Sequence, residues 1–335
     1  MARIVFYEIE DWEKDYVRER LQGYDLAFYN ERLDEKNIRT ARDADALGIF
    51  IYSEITKEVI DSIPNLKLIA TMSTGYDHID LKNAKEKGIE VCNVPSYGEN
   101  TVAEHTFALI LALSRKIIES AERTKRGDFS LEGLRGFDLK GRIIGIIGTG
   151  KIGKHVVRIA KGFEMNILAY DAYPDNNYAQ QMGYRYVGLD ELLSNSDIIT
   201  LHAPYVESTH HMINTNNIGK IKKGAILINT ARGGLVETNA LIEALRQGII
   251  SAAGVDVLEE ECFIREEKQL LSNVFQATCD LRVLLQEHML MEQDNVIVTP
   301  HNAFNTKEAL QRILDVTIEN IKKFFEGNAV NVVNP

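Results

Sequence analysis

The chain has 335 residues, 45% apolar and 26% charged, a globular composition with enough apolar surface to order about two domains. A formal net charge of −11 argues against a nucleic-acid or anionic-membrane surface, because both need clustered Lys and Arg, and still allows a local basic pocket for a small anion. Three scattered cysteines, Cys92, Cys262 and Cys279, form no CxxC pair, which argues against a disulfide framework or a zinc site.

The opening MARIVFYEIEDW lacks the basic-then-apolar pattern of a secretory leader, so a cytoplasmic protein is expected. Strands are predicted at 3–8, 25–29, 47–52, 67–72 and 89–94, with helices at about 11–22, 56–62 and 80–87 between them. This alternation predicts βαβ units and a mostly parallel sheet. Thr101 and Glu104 form a capping-box pattern ahead of a helix over 102–118 that is apolar nearly all round, as in a helix buried on several sides. Its run FALILAL, at 107–113, is the longest apolar stretch and falls far short of the roughly 20 residues that span a bilayer. The polar segment 121–141 reads as a loop or arm. Strands then follow at 142–147, 166–170, 197–202, 225–230, 251–256 and 295–299, with helices from 151, at 189–194, at 238–247 and from about 306 to 326. The stretch 262–294 is less regular.

GTGKIG at 148–153 fits G-x-G-x-x-G, and its context is right: strand RIIGII before it, helix KIGKHVVRIAKGF after it. Gly148 permits a tight turn, Gly150 lets backbone approach a pyrophosphate, and Gly153 lets the helix pack on the strand. The helix N-terminus offers N–H groups and the positive end of its dipole to the phosphates. Asp171 follows Gly148 by 23 residues, at the end of NILAY. An acid there accepts from a ribose 2′-OH and repels a 2′-phosphate, so NAD is favoured over NADP.

Three more segments end predicted strands: INTARGG (228–234), GVDVLEEE (254–261) and VTPHNAF (298–304), carrying Arg232, Glu261 and His301. Open α/β sheets place ligands at such ends. With GTGKIG, STGYDHID (73–80) and NVPSYGENTVAEHTFALIL (93–111), they resemble the D-2-hydroxyacid dehydrogenase family over nearly the whole chain. Tyr97, Phe304 and the long segment between Glu261 and His301 look closest to its D-lactate dehydrogenase branch.

The resemblance implies an α/β protein of two Rossmann-like domains with an interdomain cleft: a flavodoxin-like substrate domain, 1–99 plus 302–335, and an NAD-binding Rossmann domain, 100–301. The nearly all-apolar 102–118 helix and the 121–141 arm suggest a homodimer, which is also the family's usual state, while the charge, the apolar run lengths and the ligand spacing point to no nucleic-acid, membrane or metal partner. In the implied reaction His301 is the general acid and Glu261 raises its pKa by hydrogen bonding. Arg232 grips the carboxylate and polarises the carbonyl with its guanidinium fork. The N–H groups around Thr74 and Gly75 complete the carboxylate cradle, and Tyr97 and Phe304 wall the pocket. Lys151, Ile152, Ala203, Pro204, Thr209, Thr230, Ala231 and Arg232 are expected to line the cofactor. His202 is read as ordering the LHAPY loop, and Asp256 as contacting the nicotinamide ribose or positioning neighbouring groups. The pair His210–His211 is read as part of a helix-leading segment, since adjacent side chains diverge and no third metal ligand is spaced to join them.

The expected reaction is therefore reduction of a small 2-keto acid by NADH, foremost pyruvate to D-lactate. GENT after Tyr97, Asn302 and the 262–294 segment depart from the family pattern, which leaves a hydroxypyruvate or glyoxylate reductase as the alternative. An NAD-sensing scaffold on the same fold is the rival from outside enzymology.

Overall fold

The computed structural model describes residues 1–34, 36–259 and 281–334. They form two units, Met1–Gly98 with Thr306–Pro335, and Glu99–Asn305. Residues 302–305 therefore stay with the second unit rather than the first, because Asp256 of that unit accepts hydrogen bonds from the N–H groups of Asn302 and Ala303.

Unit 1 begins with β1 (Arg3–Phe6), α1 (Asp11–Arg20), β2 (Asp25–Phe28), β3 (Ala46–Ile49), α2 (Lys57–Asp61), β4 (Leu68–Thr71), α3 (Leu81–Glu86) and β5 (Glu90–Cys92). All pairings are parallel, in the order β2-β1-β3-β4-β5. That is the flavodoxin-like order, whose switch point lies between β1 and β3. ALGI and LIAT are wholly buried, as expected of central parallel strands covered on both faces.

Unit 2 contains α4 (Glu99–Ser114), α5 (Ile117–Lys125), β6 (Ile143–Ile147), α6 (Lys151–Gly162), β7 (Asn166–Tyr170), α7 (Asn176–Met182), β8 (Arg185–Tyr186), α8 (Leu189–Asn195), β9 (Ile198–Leu201), β10 (Ala225–Asn229), α9 (Thr238–Arg246), β11 (Ile250–Val255), α10 (Leu281–Met291) and β12 (Val296–Val298). Its parallel sheet runs β12-β11-β10-β9-β6-β7-β8. This is the Rossmann order, extended by one strand, with its switch point between β6 and β9.

The helix expected over 102–118 is two helices. Lys116 takes a left-handed φ of +53°, which an α-helix cannot carry, so α4 stops and α5 starts afresh. Thr101 and Glu104 lie inside α4 rather than at its cap, and Thr101 is buried. The loop expected from 121 begins only after α5. Within unit 2, α4 packs on α6, where the Phe107 and Phe163 rings stack at 5.4 Å. Its Ile110 is fully buried, a gain of roughly 1.5–3 kcal/mol for such a side chain. Two short elements, α7 and β8, lie where none was expected, and α10 occupies the end of the irregular stretch.

The chain returns to unit 1 with α11 (Lys307–Phe325), capped by the Thr306 hydroxyl accepting from Ala309 N–H. The segment after α11 lies antiparallel along β5, bridging Val332 to Cys92.

Candidate active site

In unit 2, the turn after β6 is shaped by crowding. Gly148 has φ +91°, and a Cβ there would lie 2.6 Å from the backbone of His202 and Ala203. A Cβ on Gly153 would lie 2.1 Å from the Gly148 carbonyl oxygen. Gly150, the N-cap of α6, faces open space instead, so a ligand can approach the first turn, Lys151–Gly153. Asp171 stands just beyond β7. One of its oxygens accepts Thr149 N–H (2.6 Å) and hydroxyl (2.9 Å), and the other accepts Tyr173 N–H (2.8 Å). A carboxylate offers about four lone-pair positions, so acceptor capacity remains for a ribose hydroxyl. In the loop after β9, Thr209 donates its hydroxyl to Pro204 O (2.7 Å) and accepts Val206 N–H (2.8 Å). His202 Nε2 meets Thr200 Oγ1 at 2.9 Å, and burial holds its pKa down to about 3, so the ring is neutral at pH 7. A neutral, enclosed imidazole suits the loop-ordering role.

Three neighbouring strands, β10, β11 and β12, end in the expected catalytic segments. After β10, buried Asn229 accepts Ala231 N–H (3.1 Å) and donates to Arg232 O (2.9 Å), fixing the turn that presents an exposed Arg232. Thr230 is held to Thr106 of α4, hydroxyl to hydroxyl, at 2.9 Å. Gly233 runs so close to the segment after β11 that a Cβ would lie 1.9 Å from Leu258 O. Glu261 lies outside the described residues. Two positions earlier, Glu259 accepts Thr238 N–H (3.1 Å) and hydroxyl (2.8 Å) and pairs with His211 Nε2 (2.5 Å). The expected divergence of His210 and His211 does not hold: His211 takes a left-handed φ of +47°, outside any regular element, and the two rings stack with centroids 3.8 Å apart, while His210 meets Tyr205 OH at 2.9 Å.

After β12, His301 takes φ +49°, and its N–H reaches back to Thr299 O (2.9 Å). Asp256, only 1% exposed, secures this turn. Its Oδ1 accepts the Thr299 hydroxyl (2.5 Å) and Asn302 N–H (3.0 Å), and its Oδ2 accepts Ala303 N–H (2.9 Å). His105 of α4 joins through Nε2, 3.1 Å from Thr299 Oγ1 and 3.5 Å from Asp256 Oδ1. Of the two roles open to Asp256, this geometry fits positioning of its neighbours. The Phe304 ring lies edge-on to His301, centroids 6.5 Å apart.

Unit 1 shapes the turn after β4 by pinning its carbonyls. Ser73 O accepts Val94 N–H (2.9 Å), Thr74 O accepts the Asn93 side-chain amide (2.8 Å), and Gly75 O accepts the Ser73 hydroxyl (2.6 Å). In a trans peptide the N–H points opposite to the C=O. Pinning the first two carbonyls therefore turns the N–H groups of Thr74 and Gly75 the other way, and no acceptor meets either among the described residues. His78 backs the turn through Thr71 (3.3 Å), with its pKa held down to about 4 by burial. Tyr97 is half-buried, and its carbonyl accepts Arg312 Nε (2.5 Å).

Residues 107–303 match the model of the D-isomer specific 2-hydroxyacid dehydrogenase NAD-binding domain. The chain is also 40% identical to a 2-hydroxyacid dehydrogenase homolog of Haemophilus influenzae, over 99% of both chains. The chain belongs to the D-isomer specific 2-hydroxyacid dehydrogenase family. Among solved structures, it is similar to the pyruvate reductase of Chlamydomonas reinhardtii (TM-score 0.89, 37% identity, 98% of this chain and 97% of that one). It is similar also to a D-lactate dehydrogenase from Aquifex aeolicus complexed with NAD and lactic acid (TM-score 0.85, 36% identity, 99% of both chains).

This NAD-dependent dehydrogenase has a turn that fits its cofactor: open space at Gly150, an uncapped helix start and an acid at the strand end. Asn302 Oδ1, beside His301, is buried without a hydrogen-bond partner among the described residues, which leaves one acceptor for a bound donor. Replacing Asp171 by Ala should cut the preference for NADH over NADPH by roughly tenfold, the size of one charged hydrogen bond. Asp171→Asn keeps the shape and should move in the same direction. An unchanged ratio of kcat/KM values in both variants would remove Asp171 from ribose recognition. Sequence reasoning missed Asn229, His105 and Thr299 as positioning residues. Asn229 had a local signal, a short amide at a strand end, where Asn forms turns with its own backbone. His105 and Thr299 had none.

Proposed function

We propose that the enzyme reduces pyruvate to D-lactate. The observation that carries this reading is the placing of Arg232 and His301 after β10 and β12, strands that flank β11 in the same sheet as the glycine turn. Bound NADH supplies the hydride for the carbonyl carbon. The Arg232 fork draws electron density onto the carbonyl oxygen and holds the carboxylate. The Thr74 and Gly75 N–H groups bind the same carboxylate. His301 Nε2 or Nδ1 gives the proton that makes the carbonyl oxygen a hydroxyl, and Glu261 is the carboxylate assigned to orient that imidazole. Tyr97 and Phe304 border the C3 group. The likeness to a pyruvate reductase and to a D-lactate dehydrogenase complexed with lactic acid supports pyruvate over larger keto acids.

The partner we propose is a second copy. Ile117, Ile118, Phe129 and Leu131 expose apolar side chains on and just after α5, apolar surface that association would cover. No helix among the described residues is long and apolar enough to cross a membrane, and a cytoplasmic setting would supply the NADH.

The test is a keto-acid panel assayed with NADH, on protein whose mass is measured by light scattering. Pyruvate should give the highest kcat/KM, and the particle should weigh twice the 37.8 kDa chain. A higher kcat/KM for hydroxypyruvate or glyoxylate would overturn the substrate assignment, and a monomer at micromolar concentration the dimer.

A further inference from the structure

Three asparagines close a ring in unit 1, two of them 11 positions apart and the third, Asn93, 227 positions from Asn320. Asn93 N–H donates to Asn331 O (3.2 Å). The Asn331 side-chain amide donates to Asn320 Oδ1 (2.8 Å), and the Asn320 amide donates back to Asn93 O (2.8 Å). Asn320 is completely buried within α11, and Asn93 is 8% exposed. Asn331 holds φ +55°, a left-handed conformation that Asn tolerates better than most residues. The segment around Asn331 is fastened to β5 as well. Val333 N–H donates to Val91 O (2.8 Å), and the Asn334 side chain bridges Val91 N–H (2.8 Å) and Ile89 O (2.9 Å).

From Asn93, at the edge of this ring, the side-chain amide donates to Thr74 O. Because that bond fixes the Thr74–Gly75 peptide plane, it fixes the direction of Gly75 N–H. A carboxylate-binding amide must be aimed before the ligand arrives, since rotating the peptide afterwards would cost binding energy. A free Asn side chain has several rotamers, whereas Asn93 has its own N–H and C=O held by Asn331 and Asn320.

We propose that the Asn93–Asn320–Asn331 ring makes the segment after α11 a positioning element for the substrate, aiming Gly75 N–H at the keto-acid carboxylate. This rests on the reading of Thr74 and Gly75 as the carboxylate cradle. Asn93, Asn320 and Asn331 act through that turn and touch no substrate themselves.

The test uses the full chain with Asn93→Ala, Asn331→Gly and Gly75→Val. Glycine at 331 keeps the left-handed backbone and its carbonyl while deleting the side-chain amide. For Asn93→Ala and Asn331→Gly, the KM for pyruvate should rise roughly five- to tenfold, as for one lost buried hydrogen bond. In both variants kcat and the NADH dissociation constant, read by nucleotide fluorescence, should stay within about twofold. If pyruvate KM is unchanged in Asn331→Gly while Gly75→Val raises it, the ring has no positioning role and the proposal fails. It fails equally if NADH affinity falls in step with pyruvate affinity, because that marks general damage. An unchanged pyruvate KM in Gly75→Val overturns the cradle reading itself.

Discussion

His301→Asn is expected to lower kcat by ~10²–10⁴-fold, the range for a lost general acid, with little change in NADH affinity. Asparagine is chosen because position 301 sits at φ +49°. It tolerates that conformation, and Asp256 still holds the flanking Asn302 and Ala303 amides, so the turn survives and only the imidazole is lost. Alanine at 301 should show the same kinetic loss plus a fall in Tm, since a left-handed conformation costs an ordinary side chain roughly 1–2 kcal/mol. The pair separates chemistry from backbone: kcat falls in both, Tm in one. Steady-state rates at saturating NADH and pyruvate, with a thermal melt, read both quantities. An Asn variant retaining wild-type kcat would show that the proton comes from elsewhere.

Gly233→Ala should be nearly as damaging, although it adds one methyl group. The new Cβ would lie 1.9 Å from Leu258 O and 2.0 Å from Leu258 C, so backbone must move. On one side of that contact is Arg232; on the other is the segment leading to Glu259 and Glu261. Overpacking of this kind costs about 1–3 kcal/mol of stability. The larger effect is kinetic, because a displacement near 1 Å can cost on the order of 100-fold in rate. The expected result is a kcat/KM for pyruvate reduced by about two decades in a protein that still folds and binds NADH. Wild-type activity would mean that the two segments separate without consequence.

Much of the fold was legible because parallel strands covered on both faces leave continuous apolar runs. IIGII and AILIN are readable for that reason, and the strand-end motifs follow from where the runs stop. The glycine turn was legible because backbone crowding leaves no other residue possible at Gly148 and Gly153. The break at Lys116 was not, since lysine carries no mark of a left-handed conformation. Nor was α7, whose residues NNYAQQM are too polar for a hydrophobic period to show, nor β8, which is only two residues long. Asp256 stood out in the sequence as a candidate, but its two possible roles were not separable there. The choice depends on Thr299, Asn302 and Ala303, more than forty positions away. The asparagine ring was invisible because its members are ordinary polar residues until folding joins them.

The placing of α11 and the residues behind it bears on how the molecule is made. As the chain leaves a ribosome, residues 99–305 hold every strand of the seven-stranded sheet and can mature without waiting. The opening 98 residues cannot. Their β5 edge lacks its covering segment, and Asn93 lacks both ring partners, until translation passes position 331. The half synthesised first is therefore the half completed last.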